Sequence, residues 1–341
     1  MPQGGTQRHR GPRGGRRGGA EHLRLIESAK SEAIDNILQL ARLKEEGKLK
    51  KLLVAGCLTQ RYPDDIRAEL PEVDGMLGTG SYTDVVTAVE ELMAGEKAEH
   101  FARIDRAYDD GERLVTTPPY TAYLKIAEGC SNGCAFCIIP KLRGRYRSRT
   151  MEHLLEEAKS LADSGVKELI VIAQDITRYG QDLGDGTTLA GLLKELCKLP
   201  FHWIRLHYLY PEAVTDELIE VISREKKIVH YLDIPIQHAN DGILQAMRRR
   251  STRQEIETLF AKLRKAMPDV VIRTSLICGL PGRARPSLRS CVSSCGSRRS
   301  SGRACSSSPP RRVPWRRRWT TRWTRDRPAP GWSWWWTSSP V

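Results

Sequence analysis

Residues 122–137 read AYLKIAEGCSNGCAFC. A short apolar strand, 122–127, gives way to a loop of Gly, Ser and Asn that carries Cys130, Cys134 and Cys137. The spacing is C-x3-C-x2-C. Zinc normally takes four ligands, often as two C-x2-C pairs, and no fourth Cys or His stands nearby in the chain. Three thiolates suit a cubane iron–sulfur cluster with one iron left open. An open iron is a place for a substrate or cofactor rather than a structural plug. Buried thiols or a disulfide are the competing readings. No export signal places the chain in the oxidising compartment that a disulfide needs.

Working outward, strand and helix patterns alternate. Strands are expected at 168–173, 203–209, 230–236 and 270–278, and helices at 151–164, 188–198, 215–225, 241–249 and 253–266. These five strand–helix steps predict an α/β fold, a (β/α) barrel over residues 120–281 that lacks its last step. In such barrels the chemistry gathers at the C-terminal ends of the strands. Gln174 and Asp175, Gln237 and His238, and Gly279 and Pro281 stand at those ends. Arg205 on the third strand either faces a cofactor carboxylate or is a paired charge inside the barrel. Arg143, Arg145, Arg147 and Arg149 alternate after the cysteine loop and read as a surface that steers an acidic partner or as a solvated face. Cys197 and Cys278 lie in apolar patterns and read as core.

Before the barrel, residues 23–96 read as a truncated α/β unit. It has a helix at 23–47, strands at 51–56 and 73–78, and helices at 63–70 and 83–94. Residues 97–119 read as a polar linker ending in Pro118-Pro119.

The chain has 341 residues and a formal net charge of +14, and that charge belongs to its ends. Residues 282–341 hold fourteen Arg, no Lys and a single acid, Asp326, whereas residues 21–281 are mildly acidic. Residues 1–22 and 282–341 are Arg-, Gly-, Pro-, Ser- or Trp-rich and are read as disordered. Translation out of frame accounts for their composition, and a basic RNA-binding tail is the alternative. No apolar run of eighteen residues exists, so no membrane span is expected, and the chain is read as cytoplasmic.

The loop with its aromatic Phe136 before Cys137 resembles the radical S-adenosylmethionine superfamily. YLKIAEGCSNGCAFCIIPKLRGRYRSR (123–149) resembles its methylthiotransferase branch. IAQDITRYGQDL (172–183), IRLHYLYP (204–211) and YLDIPIQHANDGILQAMRRR (231–250) resemble the ribosomal-protein, RimO-type, side of that branch. Upstream, IESAKSEAIDNIL and VAGCLTQRYP are similar to the family's amino-terminal domain, so the likeness covers residues 26–281.

The resemblance implies a transferase with a [4Fe–4S] cluster on Cys130, Cys134 and Cys137, whose open iron takes S-adenosylmethionine. Phe136, Gln174, Asp175, Arg205, Gln237 and Gly279 would contact that cofactor. Two S-adenosylmethionine molecules are consumed per product, one for the methyl group and one for the radical. The product implied is a methylthio group on the β-carbon of an aspartate in the S12 protein of the small ribosomal subunit. A flavodoxin or ferredoxin type donor would supply electrons, and nucleic acid would be met only through the ribosome. Cys57 matches the third ligand of the family's auxiliary cluster. The stretch before IESAK, AEHLRL, has no Cys, so one cluster rather than two is expected for this chain. The family's small carboxy-terminal β-barrel, the TRAM domain, is not recognisable after Pro281. A tRNA adenosine methylthiotransferase (MiaB-like) and a non-catalytic basic RNA-binding protein are the alternative functions.

Overall fold

The computed structural model describes residues 27–106, 115–278 and 302–307. The first unit opens with α1 (Glu27–Glu45), β1 (Leu53–Ala55), α2 (Cys57–Arg61) and α3 (Pro63–Glu69). It continues with β2 (Gly75–Leu77), α4 (Val85–Ala94) and β3 (Ala98–His100). The strands form one parallel sheet in the order β1-β2-β3 around Leu77, Ala88, Leu92 and Ala98. β3 corrects the reading of 97–119 as all linker. Its three residues carry no apolar alternation, yet Ala98 is fully buried and His100 bonds Glu91 at 2.7 Å. Backbone pairing with β2, not side-chain pattern, makes it a strand.

The second unit starts with β4 (Thr121–Lys125), β5 (Ala127–Glu128), α5 (Ile139–Arg143) and β6 (Arg147–Ser148). Regular alternation follows: α6 (Met151–Asp163), β7 (Glu168–Ile172), α7 (Leu189–Leu196), β8 (Trp203–Leu206), α8 (Asp216–Arg224) and β9 (Ile228–Asp233). It closes with α9 (Asp241–Ala246), α10 (Arg253–Ala266), β10 (Val271–Cys278) and β11 (Gly302–Ser307). The large sheet runs β11-β10-β9-β8-β7-β4, all parallel, with β4 and β11 as its edges among the described residues. The expected strand–helix steps are thus present, as an open barrel. Gly302–Ser307 pair with β10 where composition alone predicts no strand, because an edge strand offers backbone groups that any sequence can meet. The rest of 282–341, residues 1–22 and Gly279 and Pro281 lie outside the described residues.

Period-two alternation explains the layering. Ala122 and Leu124, Leu169 and Val171, Ile204 and Leu206, Leu232, and Ile272 are fully buried in one core with Leu154, Leu192, Ile222, Ile256 and Leu263 of the helices. Each such Leu or Ile contributes roughly 1.5–3 kcal/mol by leaving water. The opposite face carries Tyr123, Ile170 and Arg205, in register across β4, β7 and β8. Thr150, Thr188, Thr215, Asn240 and Thr252 cap the barrel helices through their side chains, each worth about 1 kcal/mol.

Candidate functional site

The cysteine loop is an excursion between β5 and β6, which pair antiparallel through Ala127↔Ser148 and Glu128↔Arg147. The Cys130 amide donates to the Gly144 carbonyl at 3.2 Å, and that of Cys137 to the Cys134 carbonyl at 3.0 Å. The Ala135 amide donates to the Met247 carbonyl at 3.0 Å and clips the loop to the end of α9. Asn132 Nδ2 donates to Asp175 Oδ2 at 2.8 Å, while Arg178 Nε donates to Asn132 Oδ1 at 2.7 Å. The loop is therefore held from β7's end and from α9, two elements far apart in sequence.

Cys130 and Cys137 line a cavity of about 360 Å³ together with Lys125, Ile172, Gln174, Tyr208 and Tyr210. Beside it stands the Glu128 carboxylate. It accepts from Lys125 Nζ, from Arg143 Nη1 at 3.1 Å, from the Gly129 amide at 3.1 Å and from Gln174 Nε2 at 3.2 Å. Burial works to raise its pKa, but Lys125 and Arg143 outweigh burial and hold it below the ordinary carboxylate value. Burial pushes the Cys130 thiol up; a bond from the Asn132 backbone opposes this, and Asp175, Cys137 and Cys134 reinforce it.

The expected site residues fall into distinct groups. Cys130, Cys134, Cys137 and Gln174 meet on the rim as read from the sequence. Gln237 is there too, at φ +66, with its backbone bonded to Ser275 and Ile277. His238 is fully buried, its Nδ1 accepting from the Asn240 amide at 3.0 Å. Phe136 packs against the buried pair Ile243 and Met247, as does Ile277.

Two of the expected residues are engaged by other side chains. Asp175 is fully buried, and its oxygens are taken by Thr177, Asn132 and Arg178, so it anchors the loop. Arg205 is the paired interior charge: it bonds Glu168 at 2.7 Å, at the first residue of β7, and stacks over Tyr231. That is the end of the sheet away from the cysteines. The arginine run is not a steering face either. Arg143 serves Glu128, Arg147 reaches the carbonyls of Arg143 and Arg145, and Arg149 is buried against Glu157; only Arg145 is exposed.

Cys57 heads α2, behind Gly56, in the first unit. It lies near Arg143, whose guanidinium bonds Glu128. Cys197 is buried in the barrel core, and burial pushes its thiol up to about 11. The side chain of Cys278 lies outside the described residues.

Sequence reasoning missed Lys125, Glu128, Tyr208, Tyr210 and Arg249. Tyr208 carries φ +64 at the end of β8, a strained conformation of the kind that clusters at functional sites. The quoted motif stretches contained all five residues. Nothing in their spacing marked them, because their meeting depends on how the strands lie side by side.

Three thiols in one loop, two of them bordering the cavity, suit a cubane cluster with one open iron. Among the described residues no group of three His, Cys, Asp or Glu is set to hold a single metal ion. The Gln174 amide oxygen is buried there without a hydrogen-bond partner, an acceptor available to an incoming donor group.

Comparison with known proteins agrees with this geometry. Residues 124–288 match the Radical SAM superfamily, and residues 24–78 match Uncharacterized protein family UPF0004. The chain is 52% identical over 260 residues to the ribosomal protein uS12 methylthiotransferase RimO of Lachnoclostridium phytofermentans, covering 76% of this chain and 59% of that protein. It is 48% identical over 270 residues to the protein of the same name from Clostridioides difficile, covering 79% and 61%. The chain thus spans about three-fifths of the length of these curated relatives. Among solved structures, the cobalamin-dependent S-adenosylmethionine radical enzyme OxsB has a TM-score of 0.53 at 13% identity, over 78% of this chain and 42% of that one, a likeness of fold. Residues 124–288 thus carry a Radical SAM domain, and over its matched stretch the chain is about half identical to methylthiotransferases named RimO.

Proposed function

We propose that this chain is a radical S-adenosylmethionine methylthiotransferase that modifies the β-carbon of an aspartate in ribosomal protein uS12. The observation that carries the reading is the cavity bordered by Cys130 and Cys137 at the barrel rim, with the unsatisfied Gln174 oxygen in its wall. The names of the relatives supply the substrate. In this reading residues 23–96 are the methylthiotransferase domain, 97–119 chiefly a connection, and 120–281 the radical domain.

Cys130, Cys134 and Cys137 would hold a [4Fe–4S] cluster, and Gln174, Gln237 and Phe136 would border S-adenosylmethionine. Bound there, the two groups supply one-electron chemistry: cleavage of the sulfonium and removal of a hydrogen atom from a substrate carbon. The chain's own residues prepare the site. Cys130 and Cys134 are buried, so a group held on them would be shielded from water. Glu128 is saturated by Lys125, Arg143 and Gln174, so its charge does not compete for the cofactor's amino group. Gln174, with its Nε2 committed to Glu128, presents its oxygen as an acceptor for that amino group.

Cys57 is the counterpart of one auxiliary-cluster ligand, and a single thiolate does not hold a cluster. The electron donor is of flavodoxin or ferredoxin type. A cytoplasmic site of action accords with a ribosomal substrate, and no helix among the described residues is long and apolar enough to cross a membrane.

The test is anaerobic reconstitution with iron and sulfide, followed by reduction in the presence of S-adenosylmethionine. Formation of 5′-deoxyadenosine that disappears in Cys134→Ala supports the radical assignment; persistence in that variant overturns it. Mass spectrometry of uS12 and of tRNA after reaction then decides the substrate. A methylthio mass shift on uS12 alone supports the ribosomal reading, and a shift on tRNA alone replaces it with the tRNA branch.

A further inference from the structure

Residues 245–250 read QAMRRR, and of the three arginines only Arg249 is buried. α9 ends at Ala246 with Met247 as its C-cap. Arg248 then adopts φ +56, a left-handed conformation that non-glycine residues rarely take. The turn leaves Arg248 and Arg250 exposed and buries Arg249, which is 5% exposed.

The buried guanidinium is placed by four partners. It lies 4.1 Å from the centre of the Tyr210 ring. Its Nη2 donates to the Pro235 carbonyl at 3.0 Å and stands 3.9 Å from the Glu212 carboxylate, which Ser251 Oγ holds at 2.9 Å. Its Nη1 stands 4.0 Å from Cys134 Sγ. The Tyr210 hydroxyl is 3.6 Å from the same sulfur. A cation and a hydroxyl from two separate elements therefore meet on one cysteine of the three. Burying an arginine is costly unless its charge is used, and the contact with Glu212 is too long to be a close pair.

We propose that Arg249 and Tyr210 act as positioning residues, a clamp that fixes Cys134 and sets a positive charge and a donor hydroxyl against the cluster, favouring its one-electron reduced state. The inference rests on Cys134 being a cluster ligand. The physical basis is direct. A reduced cluster carries one more negative charge, which a buried cation stabilises, and hydrogen bonds to ligand sulfurs raise cluster potentials. The electron comes from an added low-potential chemical reductant, and no bond in the protein forms or breaks.

The experiment is a potentiometric titration of the reconstituted full chain without S-adenosylmethionine, followed by the electron paramagnetic resonance signal of the reduced cluster. Tyr210→Phe keeps the ring under Arg249 and removes the hydroxyl; Arg249→Gln removes the charge. Both are expected to load iron as the parent does and to shift the midpoint potential to more negative values, with Arg249→Lys recovering most of the shift. Unmoved potentials in Tyr210→Phe and Arg249→Gln at full iron content overturn the proposal. If Arg249→Gln fails to take up iron, Tyr210→Phe decides alone, and no shift in it overturns the proposal. Cys134→Ala separates the two levels. A parent-like cluster in that variant removes the ligand assignment and the clamp together, whereas loss of the cluster with unmoved potentials elsewhere removes the clamp only.

Discussion

The Gln174 amide donates to Glu128 Oε1 at 3.2 Å and so ties the end of β7 to the strand pair from which the cysteine loop springs. The same carboxylate gathers Lys125 from β4 and Arg143 from α5. One buried anion thus joins three elements around the cavity, and it leaves the Gln174 oxygen as the unsatisfied group in the wall. The consequences are measurable.

Glu128→Gln keeps the shape and removes the charge, which strands Lys125 and Arg143. Breaking a buried pair in this way costs about 3 kcal/mol, and denaturant titration of the variant against the parent will read it. The pH dependence follows from the direction of the shift. Because the folded carboxyl lies below its ordinary value of 4.5, its contribution is complete above that pH and is lost as the pH falls beneath it. The parent should therefore lose stability more steeply than the variant in that acidic window.

Gly129 and Gly133 flank Cys130 in one loop and both have positive φ, +76 and +66. A Cβ on Gly129 would collide with the backbone carbonyl of Arg145 and lie 2.7 Å from that of Gly144, whereas one on Gly133 meets nothing within 4 Å. Gly133→Ala is expected to cost about 1 kcal/mol, the price of the left-handed conformation alone. Gly129→Ala should displace the loop and sharply reduce iron uptake on reconstitution. Equal iron contents in the two variants would show that the collision is relieved elsewhere.

Arg205→Ala separates the interior charge from the cofactor site. Its ion pair with Glu168 is partly exposed, so its loss should cost about 1 kcal/mol or less. The dissociation constant for S-adenosylmethionine should not change. A marked weakening would bring Arg205 back into the binding site.

Iron analysis after anaerobic reconstitution should return about four irons per chain, the content of one [4Fe–4S] cluster. About eight would mean that Cys57 has recruited other ligands. Asp175→Ala should lower the yield without touching a ligand, because it frees Asn132 and Arg178 and with them the cysteine loop.

Much of this was legible in the chain. The strands and helices of the barrel followed from alternating and helical apolar periods, since burial on one face leaves that imprint wherever a segment is longer than a few residues. The candidate ligands stood out by spacing, because three cysteines within eight residues can reach one object whatever the surrounding fold. Ala98–His100 did not show, being too short for any period, and Gly302–Ser307 pair through backbone that composition does not record.

What only the tertiary structure decided is which polar side chains spend their charge on each other. Asp175 and Arg205 look alike in sequence, polar residues on or just after barrel strands. One is buried under the cysteine loop and the other is paired at the opposite end of the sheet. Glu128 meets Gln174 across 46 positions and Cys134 meets Arg249 across 115. Sequence determined the fold and marked the candidate ligands because periodicity and spacing are local. The wall of the cavity is made by strands brought side by side, and charge pairing across them depends on distances that only packing sets.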